Sequence, residues 1–186
     1  MPPLPMLADP LKDDRVAIRD TAERDIPEIL IAYEDDPELH IRLGQERPPS
    51  GAQLGSRAEN EPANRAAGSH ATLTILERPS DDFRGEIYVH HLDWDNARAE
   101  LAIWLAPQAR GRGLAAAALR LVAVWLLTDC DLHRVQILTE QSNQAMIRAA
   151  EAAGFKAEGV LRAYTRERGA RPDVAVLSRV REDLRP

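Results

Sequence analysis

The stretch PQARGRGLAAAALRLVAVWLL, residues 107–127, places two glycines and two arginines directly before a nearly unbroken apolar run. Gly111 and Gly113 permit positive φ and a close approach of another group to the backbone. Residues 114–127 contain one charged side chain, Arg120, which predicts a helix buried against a sheet. The unpaired N–H groups and the dipole of that helix favour an anion site at the glycines. A simple turn is the alternative.

The composition is that of one soluble globular domain. The chain has 186 residues, 44% hydrophobic and 29% charged, and its formal net charge of −6 argues against a nucleic-acid partner. The single Cys130 excludes an internal disulfide, fits a reducing compartment and is expected to be a buried thiol. We expect a cytoplasmic protein with no membrane partner, because no signal-peptide pattern opens the chain and the longest apolar run is shorter than roughly 20 residues.

Apolar periodicity predicts a mixed α/β sheet in one domain, residues 16–186, behind an extended N-terminal arm, residues 1–15. Three strand-like segments lie close together before the glycine turn, so an antiparallel meander is expected, and one βαβ unit follows. For the polar residues 48–69, short helices and a mobile loop both fit. The predicted segments are a strand at 16–20, a helix at 21–35 capped by Thr21, strands at 70–78, 83–92 and 98–107, a helix from 113, a strand at 133–140, a helix at 142–154, and two strands within 155–180 around a loop at Gly169 and Pro172.

The nature of the anion depends on what surrounds the glycines. No GxxxxGK[ST] motif is present, which excludes a Walker-type nucleotide loop. Gly111, Gly113 and Ala116 fit the dinucleotide pattern G-x-G-x-x-A, and Glu140 follows the next strand, so a dinucleotide-binding oxidoreductase is one alternative. The meander before the glycines and the single βαβ unit after them disfavour it.

A second pattern on the same glycines has further matches downstream. The pattern [Arg/Gln]-x-x-Gly-x-[Gly/Ala] is met by Gln108, Gly111 and Gly113, and it is followed by Asn143, AAGF at 152–155, EGVLR at 158–162 and Asp173. With the order of elements, these features resemble the GNAT superfamily of acetyl-CoA-dependent N-acetyltransferases, in particular the RimJ/RimL-like branch of ribosomal-protein alanine N-acetyltransferases. The resemblance runs from about residue 16 to residue 183.

The resemblance implies a GNAT fold, a mixed and mostly antiparallel central sheet flanked by helices, with acetyl-CoA as cosubstrate. It implies direct acetyl transfer to a primary amine on a protein N-terminus or a small molecule. The pyrophosphate would lie on the amides of residues 108–114 and the pantetheine arm along 103–105. Asn143 would contact that arm, or would simply cap a helix. The implied cofactor-binding residues are Ile103, Trp104, Leu105, Gln108, Ala109, Arg110, Gly111, Arg112, Gly113, Leu114 and Asn143.

Glu100 is the candidate general base. Period-two alternation places it on the face opposite Leu101, Ile103 and Leu105, and a carboxylate in an apolar strand is costly unless it is paired or used. In related enzymes a glutamate at this place is the usual candidate for removing the amine proton. A salt-bridged or edge-exposed Glu100 is the alternative.

The residues that protonate the leaving thiolate in relatives are missing. The family's tyrosine position is Ala150 here, and the serine position of the resembled branch is Met146. Tyr164 could substitute, or the thiolate could leave unaided, because a thiol has a pKa of about 8.5. The missing acids keep open a non-catalytic acyl-CoA-binding module.

The segment HHLDWD, residues 90–95, raises the question of metal. Neighbouring residues on a strand point to opposite faces, so His90 and His91 are not expected to converge, and no metal site is predicted. These histidines could instead line the acceptor cleft, together with residues 35–65 and the C-terminal strands. The sequence leaves open the amine acceptor and whether the chain forms a homodimer.

Overall fold

A computed structural model of the chain describes residues 2–166 and 169–184. Residues 167–168 of the predicted C-terminal loop, residue 1 of the predicted arm and residues 185–186 lie outside this description. The strands of the described part are β1 (Leu11–Lys12), β2 (Val16–Asp20), β3 (Ala71–Glu77), β4 (Asp82–Asp93), β5 (Arg98–Leu105), β6 (Arg134–Glu140), β7 (Lys156–Leu161) and β8 (Val174–Val180). The helices are α1 (Ile26–Asp35), α2 (Leu39–Arg42), α3 (Gly51–Ala66), α4 (Leu114–Thr128) and α5 (Gln144–Ala152).

The described strands form one sheet in the order β1-β2-β3-β4-β5-β6-β8-β7. All neighbours are antiparallel except β5 and β6, which α4 connects as a parallel pair. The predicted meander is therefore confirmed as β3-β4-β5, and the predicted βαβ unit is β5-α4-β6. The mixed, mostly antiparallel sheet matches the predicted fold class.

Helices cover both faces of the sheet, and the side chains of β5 divide between them. Leu101, 1% exposed, packs in the larger core under α4 and α5, whereas Trp104, 5% exposed, packs in a second cluster with α1 and α3. This is the alternation that the sequence of β5 predicts. Trp125 of α4 and Cys130 are buried in the larger core, as expected for Cys130.

Residues 51–66, which the sequence left undecided, form helix α3. Ser50 caps its start, because its hydroxyl accepts a hydrogen bond from the backbone N–H of Gln53. The helix buries charged side chains: Arg65 is 2% exposed and forms ion pairs with Glu61 and with Asp20 of β2. Apolar periodicity is weak in this segment because ion pairs hold much of its buried face.

The N-terminal residues lie against α3. Leu4 is 1% exposed, and its N–H donates to the Arg65 carbonyl at 2.9 Å. The Arg65 guanidinium in turn donates to the carbonyl of Pro5 at 2.7 Å. Arg65 therefore joins the first residues of the chain to the domain.

Among the described helices, none is both long enough and apolar enough to cross a membrane.

Helix α1 begins five residues later than predicted, and Thr21 is not its cap. The Asp25 side chain accepts a hydrogen bond from the N–H of Ala22 at 2.9 Å and closes a turn of 3-10 helix before Ile26. Pro27 then occupies the first turn of α1, where its missing N–H has no cost. The polar residues before Ile26 thus form a separate turn.

Candidate active site

A cleft of about 460 Å³ opens where β5 and β6 separate. The two strands pair only from Arg98 to Glu100 on β5, so the edge of β5 beyond Glu100 has no strand partner in the described chain. The residues lining the cleft are Leu101, Ala102 and Ile103 from β5, Ile137, Leu138 and Thr139 from β6, and Arg42, Leu43, Gln45, His70, Ala71, Tyr88, Val89, His90, Asn143 and Met146 around them.

Backbone groups on the open edge of β5 alternate in direction. The N–H of Ala106 donates to the backbone of β4 at 2.9 Å, whereas the carbonyl of Leu105 accepts from Arg110 Nε at 3.0 Å, on the other side. With a period of two, the N–H groups of Ile103 and Leu105 face the open edge and that of Trp104 faces β4. Ile103 and Leu105 are therefore the residues able to bind an extended ligand through the backbone, and the Trp104 indole is buried on the far face.

The backbone N–H groups of the glycine turn are unpaired in the part of the chain that the structure describes. Gly111 and Gly113 have φ of +72° and +78°. Helix α4 begins at Leu114, one residue after the predicted start, and Gly113 is its N-cap. Within residues 2–166 and 169–184, no acceptor bonds the backbone N–H groups of residues 111–114. A Cβ at Gly111 would meet nothing within 4 Å, so a bound group has room there. Free amides at a helix N-terminus suit a pyrophosphate.

The two arginines of the turn are held by carboxylates, which the sequence did not predict. Arg110 forms an ion pair with Asp36 at the end of α1, and Arg112 donates to Glu77 Oε2 of β3 at 3.0 Å. Burial raises the pKa of Asp36, but hydrogen bonds from Arg42 and Arg110 outweigh it and lower that pKa below its ordinary value. A phosphate would therefore share each arginine of the turn with a carboxylate.

Arg15 is a further cation at the glycine turn. Its Nη1 donates to the carbonyl of Arg112 at 3.3 Å and lies 3.2 Å from the position of a Cβ on Gly113. The residue lies just before β2, far from the turn in sequence, so no local pattern indicates its role.

Glu100 lies at the point where β5 and β6 stop pairing. Its side chain is 14% exposed and is adjacent in sequence to Leu101, which lines the cleft. Gln136 Nε2 of β6 donates to Glu100 Oε2 at 3.3 Å. The carboxylate therefore lies beside the open end of the β5 edge, with one hydrogen bond orienting it.

The expectation that His90 and His91 point to opposite faces is wrong. The β4–β5 register shifts after His90, and His91 has φ of +48°, so a bulge turns its ring back beside that of His90. The ring centroids are 4.6 Å apart. His90 Nε2 lies 3.9 Å from Glu100 Oε1, and His91 Nδ1 lies 3.5 Å from Glu100 Oε2. Burial lowers the pKa of His90, against the opposing effect of Glu100.

Asn143 lines the cleft and also caps α5. Its Oδ1 accepts a hydrogen bond from the N–H of Met146 at 3.2 Å, which leaves its amide NH₂ available to a ligand. Met146 lines the cleft as well, whereas Ala150 is buried and Tyr164 is 56% exposed outside the cleft lining. The carboxylate of Asp173 accepts from the N–H of Ala163 at 2.8 Å in the C-terminal hairpin.

A buried polar network adjoins the cleft, and the sequence did not indicate it. Glu86 of β4 is fully buried and accepts hydrogen bonds from Arg57 of α3 at 2.6 Å, Tyr88 at 2.7 Å and the Trp104 indole at 3.2 Å. Burial raises the pKa of Glu86, and Arg57 opposes this effect. Because Tyr88 lines the cleft, the network joins α3 to the cleft wall.

Comparison with known families identifies the class of protein. The GNAT acetyltransferase domain matches residues 15–156, so the chain belongs to the GNAT acetyltransferase family. GNAT acetyltransferases use acetyl-CoA, and the match excludes a dinucleotide-binding oxidoreductase.

Individual relatives and structures agree with this assignment. The chain is 26% identical to the uncharacterized N-acetyltransferase p20 of Bacillus licheniformis over 116 residues, which span 62% of this chain and 65% of p20. RimJ of Mycobacterium smegmatis, solved with CoA-disulfide, has a TM-score of 0.81 at 21% identity and covers 96% of this chain and 92% of its own. RimL, a ribosomal L7/L12 α-N-protein acetyltransferase solved with coenzyme A, has a TM-score of 0.80 at 16% identity, covering 92% and 98%. At these identities the structures share the fold.

Proposed function

We propose that the protein transfers the acetyl group of acetyl-CoA directly to a primary amine on a protein N-terminus or a small molecule. One observation carries the proposal: β5 has an open edge that begins after Glu100, and the chain continues from that edge into the unpaired amides of the glycine turn. A phosphate-bearing ligand with an extended arm fits this surface.

Each part of the surface has a role in holding acetyl-CoA. The N–H groups of Ala109 and Arg110, two of the amides expected in the range 108–114, already donate to the carbonyls of Ala106 and Pro107. The pyrophosphate therefore binds the unpaired amides of residues 111–114, with the side chains of Arg110 and Arg112 beside it. The pantetheine arm lies along β5, where Ile103 and Leu105 present their N–H groups, and the amide of Asn143 donates from the opposite wall. The family membership and the CoA-containing neighbours support this placement.

Glu100 is the proton acceptor in this proposal. The neutral amine attacks the thioester carbonyl, a C–N bond forms, and the C–S bond breaks as coenzyme A leaves as a thiolate. The proton lost by the amine goes to the carboxylate of Glu100 directly or through water. No acid is assigned to the thiolate, because a thiol pKa of about 8.5 lets it leave without help.

The replacement Glu100→Gln tests this role, because it retains the shape of the side chain and removes the base. We expect kcat to fall by about 100-fold or more, with the KM for acetyl-CoA changed by less than about threefold. Thiol release against a panel of peptides and small amines measures both constants. Glu151→Gln on the exposed face of α5 is the matched control and should retain wild-type turnover.

Two results would overturn parts of the proposal. Turnover of Glu100→Gln near the wild-type value would remove Glu100 as the base. Binding of acetyl-CoA by the wild type without thiol release for any amine would favour the non-catalytic module.

The panel also tests the acceptor class, for which the RimL neighbour, an α-N-protein acetyltransferase, supports peptide N-termini. A cytoplasmic location and a homodimer stay predictions.

A further inference from the structure

Two imidazoles and one carboxylate converge at the end of the β4–β5 hairpin. Their metal-binding atoms, one each from His90, His91 and Glu100, all lie within 4.8 Å of one another. The convergence depends on the bulge at His91, because a regular strand would place neighbouring side chains on opposite faces. The three side chains therefore meet through the tertiary geometry of the hairpin.

The distances in this cluster suit a shared ion better than direct hydrogen bonds. His90 Nε2 and His91 Nδ1 lie 3.9 Å and 3.5 Å from the nearer oxygens of Glu100. Hydrogen bonds between nitrogen and oxygen have lengths of about 2.7–3.2 Å. Two ligands on one tetrahedral zinc ion, with bonds near 2.0–2.1 Å, lie about 3.3–3.4 Å apart. The two distances end on different oxygens of Glu100, so the side chains must rotate to close their span of up to 4.8 Å to this spacing around one ion.

The surroundings supply access and orientation. The His91 side chain is 76% exposed, so an ion can reach the cluster from solvent, whereas Glu100 is 14% exposed. Gln136 Nε2 donates a hydrogen bond to Glu100 at 3.3 Å. Arg134 in turn donates to Gln136 Oε1 at 3.2 Å and to Glu158 Oε1 at 2.7 Å. Hydrogen bonds of this kind fix the orientation of metal ligands.

We propose that His90, His91 and Glu100 form a binding site for Zn²⁺. Two imidazole nitrogens and a carboxylate oxygen are ligands that zinc prefers, and the fourth position is left to water. An occupied site holds the carboxylate that removes the amine proton, so Zn²⁺ inhibits acetyl transfer. This consequence rests on the proposed function, whereas the binding of zinc does not.

Isothermal titration of the full chain with Zn²⁺, without a polyhistidine tag, tests the site. We expect one ion per chain for the wild type and at least about tenfold weaker binding for His91→Asn. Asparagine tolerates positive φ, so this variant retains the bulge, and its melting temperature without metal checks the fold. His133→Asn removes an exposed histidine outside the cluster and should bind zinc like the wild type.

Co²⁺ gives a second readout. Four-coordinate Co²⁺ bound by the wild type should show visible absorption bands that His91→Asn lacks. Absence of zinc binding by the wild type, or equal affinity in His91→Asn, would overturn the site whatever the catalytic result. If zinc binds as expected but no amine is acetylated in its absence, the proposed function fails and the metal site stands.

Discussion

Replacement of Gly111 by alanine tests whether the glycine turn has the conformation that binds coenzyme A. Gly111 has φ of +72°, and a Cβ added there would meet nothing within 4 Å. The substitution therefore adds no steric overlap with the rest of the protein. Its effect comes from the backbone, because L-residues disfavour the left-handed region.

The expected magnitude follows from this backbone preference. Left-handed φ costs a residue with a Cβ roughly 1–2 kcal/mol. The glycine turn is exposed, and its N–H groups have no partner in the described chain. The turn of the ligand-free Gly111→Ala variant therefore relaxes to another conformation and avoids most of this cost. Binding of coenzyme A must restore the conformation. At about 1.4 kcal/mol per tenfold, the affinity for coenzyme A should fall by about 5- to 30-fold.

Calorimetric titration with coenzyme A measures the change directly. Gly169→Ala is the matched control, because Gly169 has φ of +83° and open space around a Cβ but lies in the C-terminal hairpin. It should leave the affinity unchanged. Gly111→Asn should lose less affinity than Gly111→Ala, because asparagine enters the left-handed region more readily. An affinity of Gly111→Ala within about twofold of wild type would refute the reasoning.

Three further predictions concern stability and reactivity. Arg57→Met leaves the buried Glu86 without its cation, so urea denaturation should show a loss of about 3–5 kcal/mol in the free energy of unfolding, much of it recovered when Glu86→Gln is added. The hydrogen bond from Arg134 lowers the pKa of Glu158 to about 2, so the stability that the Glu158 carboxylate contributes is present above the ordinary pKa of 4.5 and is lost as pH falls towards 2. The difference in free energy of unfolding between wild type and Glu158→Gln should therefore shrink over that pH range. A constant difference would contradict this prediction. Burial raises the pKa of Cys130 to about 12, so a thiol reagent should modify it in denaturant and not in the native protein.

The elements predicted best from the sequence are those with an apolar periodicity inside a single segment. The meander, the start of α4 at Leu114 and the alternation along β5 could all be read from patterns within single segments. Helix α3 could not, because its buried face includes Glu61 and Arg65, and Asp20, which pairs with Arg65, lies on another element. An ion pair between distant segments leaves no periodic pattern in either of them.

In the candidate site, too, some features could be predicted from the sequence and others could not. The glycine pattern and the position of Glu100 were evident in the sequence, because each depends on neighbours along the chain. The partners of Arg110 and Arg112 were not, since Asp36 and Glu77 reach the turn from other elements.

The sequence by itself determined the order of elements, the glycine turn before a buried helix, and the strand that carries Glu100. Only the tertiary structure decided that β5 and β6 separate beyond Glu100, that the turn's arginines are held by carboxylates, and that His90 and His91 meet at Glu100. The physical reason is that local periodicity encodes which face of an element is buried. A register shift or a long-range ion pair depends on two segments at once.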